Sequence, residues 1–308
     1  MDILGKRYLY FVISLLVIVP GMIALIVWGL PLAIDFTGGS LLEVQFGSGA
    51  APQPSEVIAL YRELGIADVQ AQTSGADIII ARSSFLDDAI RTQIVARMSE
   101  RFKDTVTVRR FDSVGPTVGQ EVAFRAAGAV GVAALGVIVY ITFAFRRVPN
   151  RLRYGICAII AMIHDVAVVF SVAAIGGRFF GWQIDALFLT ALLTVIGFSV
   201  QDKIVVFDRI RENTTLYRRA GFESLVNHSI IQTLQRSINT QLMTVEFMLL
   251  ALVLFGGVTL REFALILLIG LFSGTYSSIF IAAPLLVVWE SGEWGRLFRR
   301  GKQAEATV

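Results

Sequence analysis

Three places in this sequence put ionisable or strongly polar side chains inside long apolar runs. His164 and Asp165 lie near the middle of one run. Gln201, Asp202 and Lys203 interrupt the next, about one and a half turns before its end. Glu246 sits midway along a later one, with Gln241 and Thr244 nearby. In hydrocarbon each such group costs several kcal/mol unless it is paired or hydrated, so these positions come first as candidates for chemistry.

Asp202 is the strongest of them. A carboxylate at partial depth binds and releases a proton when desolvation and a nearby cation pull its proton affinity in opposite directions. Gly197 and Ser199, just before it, are small and admit another helix closely. Two cations are candidates: Lys203, adjacent in sequence but on a different face, and Arg236, at the start of the apolar run that follows. The same residues also read as an Asp–Lys or Asp–Arg pair that only fixes helix packing. Asp165 with His164 reads either as a proton relay or as a buried polar pair holding two helices. Adjacent helical residues point about 100° apart, so these two need not touch. Glu246 reads as a protonated acid hydrogen-bonded to a neighbouring hydroxyl.

Other motifs have plainer readings. The run Asp208, Arg209, Arg211, Glu212 is a solvated helix end with i,i+3 pairs. Asp35–Gly39 (DFTGG) has no following helix and no P-loop lysine, so it is a tight turn into a strand. Gly270, Gly274 and Ser278 recur every fourth residue, a small-residue face for close helix contact without chemistry.

The elements that must position these residues are membrane helices. The chain has 308 residues, 55% hydrophobic and 17% charged, with mean hydropathy +0.69. Soluble domains carry about a quarter charged residues. Six blocks are long enough to cross about 30 Å of hydrocarbon: Tyr8–Leu30, Ala126–Phe145, Tyr154–Ile175, Ala186–Phe207, Ile238–Phe255 and Phe263–Trp289. The first is too long for the apolar core of a signal peptide and lacks a good cleavage site at Pro31–Ala33, so it reads as an uncleaved anchor. Pro20 and Pro284 inside blocks predict kinks. The glycine pairs Gly176-Gly177 and Gly256-Gly257 read as the two short outer turns.

Lys6, Arg7, Arg146, Arg147, Arg151, Arg153, Arg209, Arg211, Arg218, Arg219, Arg236, Arg296, Arg299, Arg300 and Lys302 collect on one side, against Arg178 and Arg261 in the short loops opposite. This bias places both termini in the cytoplasm and the long insert after the first helix outside. The tail 291–308 is then cytoplasmic, and helices two to six occupy 122–290. The insert, 31–121, has strand signals at Ser40–Phe46, Val69–Gln72, Ile78–Ala81 and Thr105–Phe111, and helix signals at Pro54–Leu64 and Phe85–Phe102. The order β-α-β-β-α-β predicts a small ferredoxin-like α/β sandwich. Between the fourth and fifth blocks, Phe222–Leu234 reads as an amphipathic helix at the interface or as a plain helical connector.

Composition also excludes. A net charge of +3 without a basic, aromatic-interleaved stripe argues against nucleic acid. A single cysteine, Cys157, permits no intrachain disulfide. With only His164 and His228 besides, a zinc site is not expected.

Three strings together resemble the SecD/SecF family of protein-export membrane proteins, part of the RND-like superfamily. They are Ile34–Gly39 (IDFTGG), Val205–Asn213 (VVFDRIREN) and Gln232–Ser237 (QTLQRS). The second is highly specific to the SecF branch, the first is shared with SecD, and the resemblance covers nearly the whole chain. It implies one RND-like half of six transmembrane helices that pairs with SecD around a pseudo-two-fold axis. It further implies a non-enzymatic subunit, without cofactor, of the bacterial inner membrane. Such a subunit uses the proton-motive force to help pull unfolded preprotein from the SecYEG channel at the outer face. The family's membrane carboxylate maps onto Asp202 and its arginine onto Arg236. Gln201 and Lys203 stand where the family pattern has Asn and a small polar residue. The expected proton-coupling set is therefore Asp202, Arg236, Asp165 and Gln201, with membrane lipid around it. Two rivals are an RND-type small-molecule exporter, against which the short insert argues, and a scaffold of the translocon that moves no protons.

Overall fold

In the computed structural model of the chain, residues 2–146, 150–217, 219, 221–241, 247–255 and 258–293 are described. They form two compact units, one of residues 32–129 and one of residues 1–31 with 130–308.

The smaller unit is built on a four-stranded sheet. Its elements are β1 (Gly39–Phe46), α3 (Pro54–Glu63), β2 (Val69–Ser74), β3 (Ile78–Ser83), α4 (Asp88–Phe102) and β4 (Val106–Val114). The strand order is β2-β3-β1-β4, with every neighbouring pair antiparallel. Alternation along β1 buries Leu42, Val44 and Phe46 on one face. There they meet Val57, Leu60 and Tyr61 of α3 and Ile94 and Met98 of α4. Each large apolar side chain so buried contributes about 2 kcal/mol. A Gln53–Glu56 capping box starts α3, and Asp87 accepts from the Ile90 N–H (2.8 Å) to start α4.

The DFTGG segment is not a bare turn. Ile34–Thr37 form one helical turn (α2), closed by Gly38 at φ +75° and followed by Gly39 at φ +127°. A Cβ on Gly38 would lie 2.6 Å from Pro116 Cα, and one on Gly119 would lie 2.6 Å from Gly38 N. The glycines thus let α2 touch the first turn of α5 (Pro116–Ala144) backbone to backbone. That helix begins ten residues before its apolar block, because a proline is tolerated in a first helical turn.

The larger unit is helical. It contains α1 (Arg7–Trp28), α6 (Arg151–Phe180), α7 (Ala186–Leu216), α8 (Phe222–Ile238), α9 (Phe247–Phe255) and α10 (Val258–Ser277). A π-helical segment, Ser278–Ala282, joins α10 to α11 (Ala283–Glu290). Among the described residues, five helices are long and apolar enough to cross a membrane: Leu4–Trp28, Pro116–Ala144, Leu152–Phe180, Ala186–Leu216 and Leu260–Glu290. Six were expected. The remaining block, Ile238–Phe255, includes Thr244 and Glu246, which lie outside the described residues, as do Gly256 and Gly257.

Packing corrects one sequence reading. Gly176-Gly177 is not a turn: α6 runs through it and ends at Gly181, φ +70°. A Cβ on Gly176 would sit 2.2 Å from the Trp182 ring, and one on Gly177 2.5 Å from Pro31, so these glycines make room for neighbours. The basic–acidic run after the fourth block stays helical to Leu216, held by Asp208–Arg211 (2.7 Å) and Arg209–Glu212 (2.6 Å) pairs. The connector α8 extends to Ile238 and buries Leu225, Val226, Ile230 and Thr233. Asn213 of α7 donates to Ser229 (2.8 Å) and Gln232 (2.9 Å) of α8. Arg7 bridges Glu223 (2.5 Å) and Glu293 (2.6 Å), tying α8 to the N-terminal segment.

A candidate proton-handling site between α6, α7, α8 and α10

Asp202 lies near the middle of α7 with 7% exposure. Ser237 Oγ, from the last turn of α8, donates to its Oδ1 at 2.7 Å. Ser278 Oγ, from the π-helical segment, donates to its Oδ2. Among the described residues no cation is in ion-pair contact with it. Its two hydroxyl partners lie beside wide-turn backbone, at Ser278–Ala282 and at residues 239–241. Such π segments inside α-helices are frequent at functional sites.

Lys203, one residue on, has no exposed surface and turns to α6. Its Nζ lies 2.7 Å from Asp165 Oδ2, 2.5 Å from Ser199 Oγ and 3.2 Å from the Ser199 carbonyl. Asp165 is also fully buried. It accepts from Ser199 (2.6 Å) and from Ser273 and Ser277 of α10 (2.7 Å each). His164 Nδ1 stands 3.1 Å from Asp165 Oδ1, and its ring stacks on Tyr276 with centroids 6.2 Å apart. Adjacent helical residues need not touch, and here the two side chains do. The result is a polar knot across α6, α7 and α10.

The structure thus brings Asp165 and Lys203 together and sets Asp202 beside two serines. Among the described residues, Arg236 and Gln201 are exposed. Ser237, not Arg236, is the α8 residue at Asp202. Ser278 also corrects the reading of its helix face: Gly270 and Gly274 pack against Val195 and Ser199, while Ser278 bonds the carboxylate. The serines were missed because a hydroxyl at membrane depth is common and cheap; only Ser273-Ser277 and Ser199-Lys203, each one turn apart, were a legible signal. No group of three His, Cys, Asp or Glu among the described residues could hold a metal ion.

Residues 94–292 match the family "Protein export membrane protein SecD/SecF, C-terminal", and residues 23–50 match the SecD/SecF GG motif. The chain belongs to the SecD/SecF family. It is 68% identical over 301 residues to the protein translocase subunit SecF of Anaerolinea thermophila, covering 98% of both chains. It is 47% identical to the SecF subunit of Thermobaculum terrenum, covering 100% of this chain and 99% of that one. The crystal structure of the translocon-associated SecDF of Thermus thermophilus superposes with TM-score 0.81 at 30% identity, over 94% of this chain and 39% of that one. The chain therefore spans well under half of the SecDF polypeptide. As a SecD/SecF-family protein it is a multi-pass membrane component of the Sec protein-translocation machinery, and its GG motif is the Gly38-Gly39 pair that meets α5.

Proposed function

We propose that this chain is a SecF-type subunit that couples proton movement through the membrane to preprotein translocation. The carrying observation is the environment of Asp202: a buried carboxylate, mid-helix, bonded by two neutral hydroxyls and by no described cation. Hydroxyls can donate to the carboxylate or accept from the acid, so proton exchange there costs no broken ion pair. In the proposed topology, six transmembrane helices form one RND-like half in the bacterial inner membrane, with both termini cytoplasmic. The small unit, a ferredoxin-like domain between helices one and two, faces outward.

Exposed Arg236 and Gln201 mark the surface where a SecD partner would cover polar groups that lipid cannot solvate. Exposed Leu16, Ile26, Val132 and Phe255 fit contact with lipid or that partner. SecYEG and unfolded preprotein are the remaining partners. Each proton crossing 100 mV yields about 2.3 kcal/mol, enough to bias a domain movement and requiring several protons for sustained pulling. The coupling set is Asp202 as the carrier, Arg236 as the cation at the surface facing SecD and Gln201 as its polar neighbour. Asp165 belongs to the knot beside it.

The test compares wild type with Asp202→Asn, each co-expressed with its SecD, for preprotein release from membranes with and without a proton gradient. A gradient effect in wild type alone supports the coupling role. An equal effect in both makes Asp202 a packing residue, and no effect in either leaves a scaffold.

A further inference from the structure

Proton exchange at Asp202 does not account for the buried ion pair beside it. Replacing such a pair with packed apolar residues is often neutral or stabilising, so a pair like Lys203–Asp165 is weak evidence for stability. Lys203 directly follows Asp202 on α7 and carries its ammonium on a flexible four-carbon stem. Either carboxylate would attract it. In the structure Asp165 and Ser199 take it, at 2.7 Å from Oδ2, 2.5 Å from Oγ and 3.2 Å from the carbonyl. These contacts use the three donors an ammonium has. Asp165 in turn is saturated: His164 and Ser273 bond Oδ1, while Ser199, Ser277 and Lys203 bond Oδ2.

We propose that Asp165 sequesters Lys203, holding its ammonium across the α6–α7 contact and away from Asp202, whose carboxylate is thereby left to hydroxyl partners. The proposal rests on the reading of Asp202 given above, and makes Asp165 a positioning residue that acts through Lys203. Among the described residues, the titratable groups meeting Asp165 are His164 from α6 and Lys203 from α7; α10 offers the hydroxyls of Ser273 and Ser277, and Tyr276 stacks on His164. Asp202 meets Ser237 from α8 and Ser278 from the π segment. When Asp165 becomes Asn, the counter-charge is gone and Lys203 is free to turn to Asp202, the carboxylate that precedes it on α7. A cation held there opposes its protonation.

The experiment is an infrared pH titration of the full chain with its SecD in lipid, following the carboxylic-acid C=O band that disappears in Asp202→Asn. In Asp165→Asn the band is expected only at pH lower by about 1–3 units. In Asp165→Asn/Lys203→Met it returns to the wild-type pH. A band unmoved in the single variant, or still displaced in the double, overturns the proposal. Should Asp165→Asn fail to assemble, Lys203→Met decides: sequestration leaves the Asp202 band at the wild-type pH, and a displaced band overturns it. The titration requires no translocation, so a wild type without gradient-driven release would overturn the motor reading while leaving this result to stand or fall separately.

Discussion

Ser237 on α8 and Asp202 on α7 are joined by a 2.7 Å hydrogen bond between residues 35 apart in sequence. It places the end of the connector helix on the carboxylate, with Ser278 closing the other oxygen. A hydrogen bond to a charged group contributes about 1.5–3 kcal/mol, or roughly 10–100-fold in an equilibrium. Ser237→Ala is therefore expected to lower gradient-stimulated preprotein release by about tenfold at unchanged membrane abundance. Ser237→Ala/Ser278→Ala should abolish the stimulation. Release unaffected in the double variant would show that the hydroxyls do not tune the carboxylate.

Gly119 meets Gly38 backbone to backbone, and a Cβ there would stand 2.6 Å from Gly38 N and 3.1 Å from its Cα. Backbone cannot step aside as a side chain can. Gly119→Ala should destabilise the smaller unit by about 1–3 kcal/mol. Gly115→Ala, with nothing within 4 Å, should stay within about 0.5 kcal/mol of wild type. Thermal unfolding of the purified full chain separates the two.

Met98 has no exposed surface and packs with Ile79, Ile94 and Leu60 under the sheet. Truncation to Ala leaves a cavity between α4 and the strands, and should cost about 2–5 kcal/mol. Limited proteolysis is expected to cut within residues 39–114 faster in Met98→Ala, while the membrane helices stay protected.

Asp104 accepts from the Ser48 hydroxyl (2.6 Å), the Ser48 N–H (3.1 Å) and the Thr105 N–H (2.7 Å). The Ser48 hydroxyl above all, with these N–H groups, holds its carboxyl below the ordinary range. A depressed folded value means the stabilisation is present above the unfolded value near 4 and is lost as pH falls through the folded one. Asp104→Asn should therefore lower the unfolding temperature at neutral pH, with the difference from wild type shrinking in acid. A difference that stayed constant with pH would show that the carboxylate's charge is not what the loop uses.

Residue order alone reveals whatever local chemistry forces. Uninterrupted apolar runs of about twenty residues cross lipid as helices, because only a helix satisfies the backbone within a single segment there. Alternation in Ser40–Phe46 and helical spacing in Pro54–Leu64 likewise dictated strand and helix in the insert. A charge inside an apolar run announces itself by its cost, so Asp165, Asp202 and Lys203 were legible. Which of them meets which was not. Lys203 adjoins Asp202 along the chain, yet it reaches Asp165 on another helix, because helix packing sets direction and reach while sequence sets only neighbourhood. Gly176-Gly177 reads as a turn, and only the Trp182 ring and Pro31 packed against it show what these glycines make room for. The serines that bond both carboxylates carry little cost alone and became visible only where α7, α8 and α10 converge. Tertiary structure decided the partners, since hydrogen-bond geometry is fixed by how helices meet and not by the period along any one of them.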